Sequence, residues 1–349
     1  MRPVRFVALG DSLTEGVGDP VRDRAGGHVR DHTGGCGEGR VGDSVGRSTG
    51  RSGGLSAGRS IGRSAGRATG HSPGHAVGHG WRGWAALLAG GLVDRPAGFT
   101  NLAASGAQTR DLLETQLPAA LALEPDVAAV VIGVNDTLRA TFDIRAVAAR
   151  LDEVYAAFTE RGTTLLTVCL PDPGTMLGLP GALADPLARR QRAVNTVVHV
   201  LSERYGAVHL HAAEGAWTTD RAMWSADRLH PSERGHRQLA LRSHALLTAA
   251  GVRTGPAPSA EPEFPVPTRS ASVRWLATAG TAWVVRRCGD LLPQLLRLAV
   301  DELRHRARGT GARLDLRAAQ ACSAALAALP VPPVAALPLV AESPEAEAA

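Results

Sequence analysis

Five short apolar runs alternate along this chain with five segments of helical periodicity, and that order restricts the fold more than any other feature of the sequence. The runs are Val4–Leu9, Gly98–Leu102, Val127–Ile132, Thr164–Leu170 and Val208–Leu210. The segments Trp81–Leu92, Thr109–Leu121, Ile144–Glu160, Leu187–Tyr205 and Glu233–Ala250 repeat apolar residues at the spacing of one helix face. Short runs bounded by turn residues read as strands, and the periodic segments read as amphipathic helices. Strand and helix in alternation imply parallel crossovers, so the expected fold is a doubly wound parallel sheet covered by helices. Such sheets bind ligands beyond the carboxyl ends of their strands. Ser12, Ser105–Gly106 and Asn135 each follow an expected strand and so gather at one edge.

One stretch cannot join this pattern. Between residues 19 and 80 glycine recurs at every fourth position, from Gly42 to Gly78. As a helix, this tetrapeptide repeat would carry each glycine at a cost of ~1 kcal/mol relative to alanine, with almost no apolar side chains to offset the ordering entropy. A disordered insertion between the first strand and the helix near Trp81 is expected. The alternation stops again after residue 252, which closes the expected catalytic domain (residues 1–252). A Pro-rich linker is expected over 253–270 and an amphipathic helical extension over 271–329, carried by Val273–Val285, Leu291–Leu303 and the alanine-rich Ala312–Leu329. The acidic, Pro-rich tail 330–349 is expected to be disordered.

Composition excludes several classes of function. All 38 basic residues are Arg, which reflects genomic base composition, and the net charge of +5 over 349 residues is too small to argue for nucleic acid by itself. The four cysteines, Cys36, Cys169, Cys288 and Cys322, form no CxxC pair, so the spacing indicates neither a zinc motif nor a disulfide framework. No stretch reaches the ~20 apolar residues of a membrane span, and the sequence runs from Met1 straight into the first strand, so a cytoplasmic protein is expected. Gly37, Gly39 and Gly42 fit GxGxxG but follow no strand, and His71, His75 and His79 share the repeat's period with Arg59, Arg63 and Arg67. No metal or organic cofactor is expected.

The residues that carry chemistry lie elsewhere. Ser12 sits in Gly10-Asp11-Ser12-Leu13, directly after the first strand, and Asp227-Arg228-Leu229-His230-Pro231 lies more than two hundred residues on. A neutral serine hydroxyl attacks an acyl carbon only with a base in hydrogen-bond reach and a third group to orient that base. His230 and Asp227, with two residues between them on one turn, fit those roles.

These residues resemble the SGNH or GDSL hydrolases, whose marker blocks carry Ser, Gly, Asn and His. The first block resembles Gly10-Asp11-Ser12-Leu13 and the second Asn101-Leu102-Ala103-Ala104-Ser105-Gly106. The third resembles Gly133-Val134-Asn135-Asp136 and the last Asp227-Arg228-Leu229-His230-Pro231, all in the family's order. The resemblance implies a three-layer α/β/α, flavodoxin-like SGNH hydrolase fold with a five-stranded parallel sheet. It also implies that Ser12 is the nucleophile, His230 the base and Asp227 its orienting acid. The Ser12 N–H, the Gly106 N–H and the Asn135 amide would form the oxyanion hole. The implied activity is that of a serine esterase or lipase acting on a small-molecule or lipid ester through an acyl-serine intermediate.

Three alternatives stay open at this level. The same catalytic residues would serve an acyltransferase. The Arg/Gly insert, with Arg47, Arg51, Arg59, Arg63 and Arg67 free of acidic neighbours, would suit nucleic acid beside a vestigial site, although no aromatic residue is interleaved for stacking and this partner is disfavoured. The helical segment 273–306, with Trp275, Trp283 and several arginines, would suit peripheral contact with an anionic membrane.

Overall fold

A computed structural model describes residues 4–19, 81–92, 98–264 and 281–330. The glycine repeat, the start of the Val273–Val285 segment and the tail after residue 330 lie outside the described residues. Among the described residues, five strands form one parallel sheet in the order β2-β1-β3-β4-β5. They are β1 (Phe6–Gly10), β2 (Phe99–Asn101), β3 (Val127–Val131), β4 (Thr164–Cys169) and β5 (Val208–His211). The doubly wound α/β/α sandwich expected from the alternation is the fold.

Side chains alternate across the pleat, and the two faces sort accordingly. Val7, Leu9, Ala128, Val130 and Leu165 join one core, which also contains Val147, Leu151 and Phe158 of α6 (Ile144–Thr159) and Val194, Val197 and Leu201 of α8 (Gly181–Arg204). Phe6, Ala8, Val127, Val131, Leu166 and Leu210 face the other way. There they meet Trp84 and Leu88 of α2 (Gly83–Ala89) and Leu239 and Leu247 of α10 (Glu233–Ala249). Shorter helices α1 (Ser12–Glu15), α3 (Thr109–Asp111), α4 (Leu117–Ala122), α5 (Val134–Thr137), α7 (Pro173–Met176) and α9 (Ala216–Thr219) fill the connections.

Several elements depart from the periodicity. The Thr109–Leu121 segment is not one α-helix: α3 and α4 are joined by a π-helical turn over Leu112–Gln116. Pro118 has no N–H and its ring crowds the carbonyl one turn back, so the ladder widens there to a five-residue bond, Leu117 N–H to Leu112 O. Helix α8 begins at Gly181, six residues before the expected start, because the helix runs through Pro186 instead of ending at it. The extension likewise contains a single helix α11 (Thr281–Ala307) that continues through Pro293, followed by α12 (Gly311–Ala327). Both pack on the sandwich: Cys322 and Ala325 enter the α6/α8 core, and buried Glu302 pairs with Arg189 of α8. Leu296, Val300 and Leu303 stay exposed on α11. No described helix is long and apolar enough to cross a membrane.

The described residues on either side of 20–80 lie side by side. The Arg82 N–H bonds the Asp19 carbonyl at 2.9 Å, and the Arg82 guanidinium pairs with Asp19, Glu233 and Glu263. A Cβ on Gly83, whose φ is +68°, would sit 2.3 Å from the Gly16 Cα, so the two backbones touch only because both residues are glycine. Residues 253–264 return along α2 and α10, where Gly255 bonds Gly91 and Arg237 bonds Ser259 and Glu263.

Candidate active site

Strand β1 delivers Ser12. Gly10 ends the strand at φ +146°, and a Cβ there would lie 2.1 Å from the Val131 carbonyl oxygen, so only glycine lets the chain turn so close to β3. Gln116, in the π-helical turn, closes a two-way bond with the same residue. Its side-chain oxygen accepts the Gly10 N–H at 2.8 Å and its amide donates to the Gly10 carbonyl at 2.9 Å. Asp11 caps α1 by accepting the Leu13 N–H, which leaves Ser12 as the first residue of that helix.

His230 comes from a turn between β5 and α10. An antiparallel bridge between Trp224 and Pro231 and the Ser225 N–H to His230 carbonyl bond at 2.9 Å close this turn. Trp217 stacks on Trp224 with centroids 4.8 Å apart and supports it from beneath. Arg228 takes φ +60° at its tip. Asp227 then points inward: its Oδ1 accepts from Ser225 Oγ, Leu229 N and His230 N, and its Oδ2 meets His230 Nδ1 at 2.7 Å. On the far side of the ring, His230 Nε2 lies 2.7 Å from Ser12 Oγ.

The protonation pattern follows from these partners. Burial alone would raise the Asp227 carboxyl, but the His230 ring and the converging donors hold it well below the usual carboxylate range. An ionised carboxylate only accepts, so Nδ1 of His230 carries the proton and Nε2 offers its lone pair to the Ser12 hydroxyl. Burial lowers the His230 pKa, yet the charges of Asp227, Asp11 and Glu15 outweigh it, and the net shift is upward. Asp11 itself is pushed up to about 6, chiefly by burial.

Gly106 arrives on the loop after β2 and Asn135 in α5, which directly follows β3. Asn101 Nδ2 donates to the Thr14 carbonyl at 2.8 Å, and Ser105 Oγ bonds Glu15, so the loop after β2 is tied to α1. Thr109, at the start of α3, donates from both N and Oγ1 to buried Asp136 and locks this loop to α5. Among the described residues neither the Ser12 nor the Gly106 N–H makes a hydrogen bond. The Asn135 amide donates to the Ala107 carbonyl at 3.1 Å and, more weakly, to Asp11 Oδ2 at 3.3 Å. All five residues singled out in the sequence therefore lie on the connections around α1. The sequence reading missed Gln116 and the Asp136–Thr109 lock; the only signal for the former was Pro118 inside a helical segment.

A family model for the GDSL-like Lipase/Acylhydrolase family matches residues 8–238, more than half of the chain. The chain belongs to that family. The resemblance seen in the four sequence blocks is thereby borne out, and at family level the protein is an ester hydrolase. Comparison with curated proteins gives no significant match. Solved structures similar to this GDSL hydrolase include Axe2, an acetylxylan esterase from Geobacillus stearothermophilus, at 18% identity and a TM-score of 0.42, covering 71% of this chain and 96% of that one. A member of the lipolytic protein G-D-S-L family from Veillonella parvula is 15% identical with a TM-score of 0.45, covering 70% and 98%. LAE5, an alpha/beta hydrolase enzyme from the metagenome of Lake Arreo, Spain, is 20% identical with a TM-score of 0.43, covering 71% and 95%.

Proposed function

We propose that this GDSL hydrolase cleaves a carboxylic ester of a small molecule or lipid through an acyl-serine intermediate, with Ser12, His230 and Asp227 as its catalytic triad. The observation that carries the reading is the pair of 2.7 Å contacts from Ser12 Oγ through His230 to Asp227 Oδ2. Ser12 Oγ attacks the ester carbonyl carbon while His230 Nε2 takes its proton, and Asp227 stabilises the imidazolium. The carbonyl oxygen becomes an oxyanion that the free N–H groups of Ser12 and Gly106 receive, joined by the Asn135 amide as it gives up its longer bond to Asp11. His230 then protonates the departing alkoxide, leaving acyl-Ser12. A water activated by the same base releases the carboxylic acid and restores the serine.

Wild-type protein is expected to hydrolyse short p-nitrophenyl esters and to be labelled at Ser12 by a fluorophosphonate. Ser12→Ala is expected to lose both; a Ser12→Ala protein that turns over esters like wild type removes this mechanism. Within the ester class, the exposed Leu296, Val300 and Leu303 on α11 favour lipid substrates met at a membrane surface. Co-sedimentation with anionic liposomes that persists undiminished after all three are changed to Ser rejects that preference.

A further inference from the structure

A second histidine cluster lies away from Ser12, on the β4–β5 side of the sheet. The parallel register pairs Thr167 with His209 and Cys169 with His211. Leu166, Val168 and Leu210 face α2 and α10, so Thr167, Cys169, His209 and His211 share the opposite face, beneath α8, which supplies His199 and Ser202. The ligand atoms of Cys169, His199, His209 and His211 all lie within 4.8 Å of one another. The three imidazole centroids are 4.5 to 5.0 Å apart.

A hydroxyl relay orients the central ring. Ser202 Oγ donates to the Val198 carbonyl at 2.5 Å, so its lone pairs face Thr167 Oγ1 at 2.7 Å and receive the Thr167 proton. Thr167 Oγ1 then accepts from His209 Nδ1 at 2.8 Å. His209 is thus the Nδ1–H tautomer, and its Nε2 is a bare lone pair, buried and without a hydrogen-bond partner among the described residues. His199 Nε2 is buried and unpartnered in the same way. The Cys169 thiol reaches only the Leu210 carbonyl, at 3.8 Å. Buried lone pairs with no donor are costly, and metal-ligating histidines are oriented by a hydrogen bond on the other ring nitrogen.

We propose that Cys169, His199, His209 and His211 form a four-ligand site for a divalent transition metal of the zinc class. Three imidazoles and a thiolate suit zinc and disfavour magnesium and calcium, which take oxygen ligands. Tetrahedral zinc holds such ligand atoms roughly 3.3 to 3.6 Å apart, so the cluster closes by about 1 Å, mostly through rotation of exposed His211. The thiol releases its proton to solvent on binding. Four protein ligands leave no open position, which makes the metal a clip joining β4, β5 and α8 and not a participant in chemistry at Ser12.

The test uses the full chain stripped with a chelator and titrated with Zn2+ or Co2+ alone. One ion per chain is expected, with the visible absorption of tetrahedral Co2+, a thiolate-to-cobalt charge-transfer band, and a Tm raised by Zn2+. His211→Ala and Cys169→Ser are each expected to weaken Zn2+ binding at least about tenfold. Cys169→Ser should also abolish the charge-transfer band. His211 is exposed, so its variant keeps the fold, checked by circular dichroism, and a His71→Ala/His75→Ala/His79→Ala chain should bind as wild type does. Absence of stoichiometric uptake by wild type, undiminished binding in either single variant, or loss of binding in the triple variant overturns the site.

Discussion

His230 and His209 are both enclosed histidines held by one oriented bond at Nδ1, and they differ in what faces Nε2. At His230 an ionised carboxylate sits on one nitrogen and a hydroxyl on the other, each 2.7 Å away. At His209 a neutral hydroxyl relay sits on one nitrogen and, among the described residues, no hydrogen-bond partner on the other. A ring between an acceptor and a proton donor can pass a proton and stabilise the charge it gains. A ring with a neutral hydroxyl on one nitrogen and a buried, unpartnered lone pair on the other lacks a counter-charge, which suits a ligand and not a base.

The largest effects should fall on the first ring alone. His230→Ala is expected to lower ester turnover on the order of 10^4 to 10^6-fold, and Asp227→Asn about 10^4-fold by removing the charge and the tautomer control. His211→Ala in the second cluster should leave turnover unchanged, measured with the same p-nitrophenyl ester. Comparable losses in both clusters would end the distinction between them.

Asn135→Ala probes the oxyanion side of the same comparison. Loss of one donor is expected to reduce kcat about 10^2 to 10^3-fold. KM should change little, because the contact with Asp11 Oδ2 is exchanged for the oxyanion only as charge develops. Unchanged kcat would return Asn135 to a purely structural role.

His236 offers a third histidine, fully buried and satisfied on both sides. Its Nδ1 accepts the Trp84 N–H at 3.1 Å, so Nε2–H donates to the Val17 carbonyl at 3.0 Å. Burial pushes its pKa down to about 4 from an ordinary 6.5. The unfolded chain takes up this proton near 6.5 and the folded chain only near 4, so stability is complete above 6.5 and falls as pH drops towards 4. The loss is on the order of 3 kcal/mol, read by urea denaturation at pH 7 and pH 4.5. A His236→Gln chain that shows the same pH dependence would place the effect elsewhere.

How much of this was legible in the sequence depends on distance along the chain. Ser12 with Gly10, and Asp227 with His230, are local motifs whose geometry one turn can set, and the structure brings the two turns together as the blocks implied. The sheet was equally legible, because burial on two faces leaves uninterrupted apolar runs such as Val7 to Leu9 and Val127 to Val131. The start of α8 ahead of Pro186 was not, since tertiary packing carries a helix past a proline that local propensity would obey, and neither was the π-helical turn before Pro118. Cys169, His199, His209 and His211 were invisible as a group: no spacing joins them, and only the β4–β5 register and the descent of α8 over it bring their ligand atoms within 4.8 Å.

The smallest expected effect tests whether His230 is tuned by more than Asp227. Asp11 lies next to the nucleophile, buried, with a pKa of about 6, and its charge is among those that raise His230. Asparagine at position 11 keeps its single oxygen as the cap on the Leu13 N–H and loses the weaker 3.3 Å contact, while the Asn135 amide stays bonded to the Ala107 carbonyl. The larger loss is one negative charge near the imidazolium. The base works only when neutral, so kcat/KM of wild type should rise with pH through a midpoint above 6.5. In Asp11→Asn the imidazolium loses part of its stabilisation, its pKa falls, and the midpoint moves to lower pH, with the plateau at high pH changed far less than in Asn135→Ala. An unmoved midpoint would mean that Asp227 alone sets the proton affinity of the ring, and that Asp11 serves only to hold α1 and Asn135 in position.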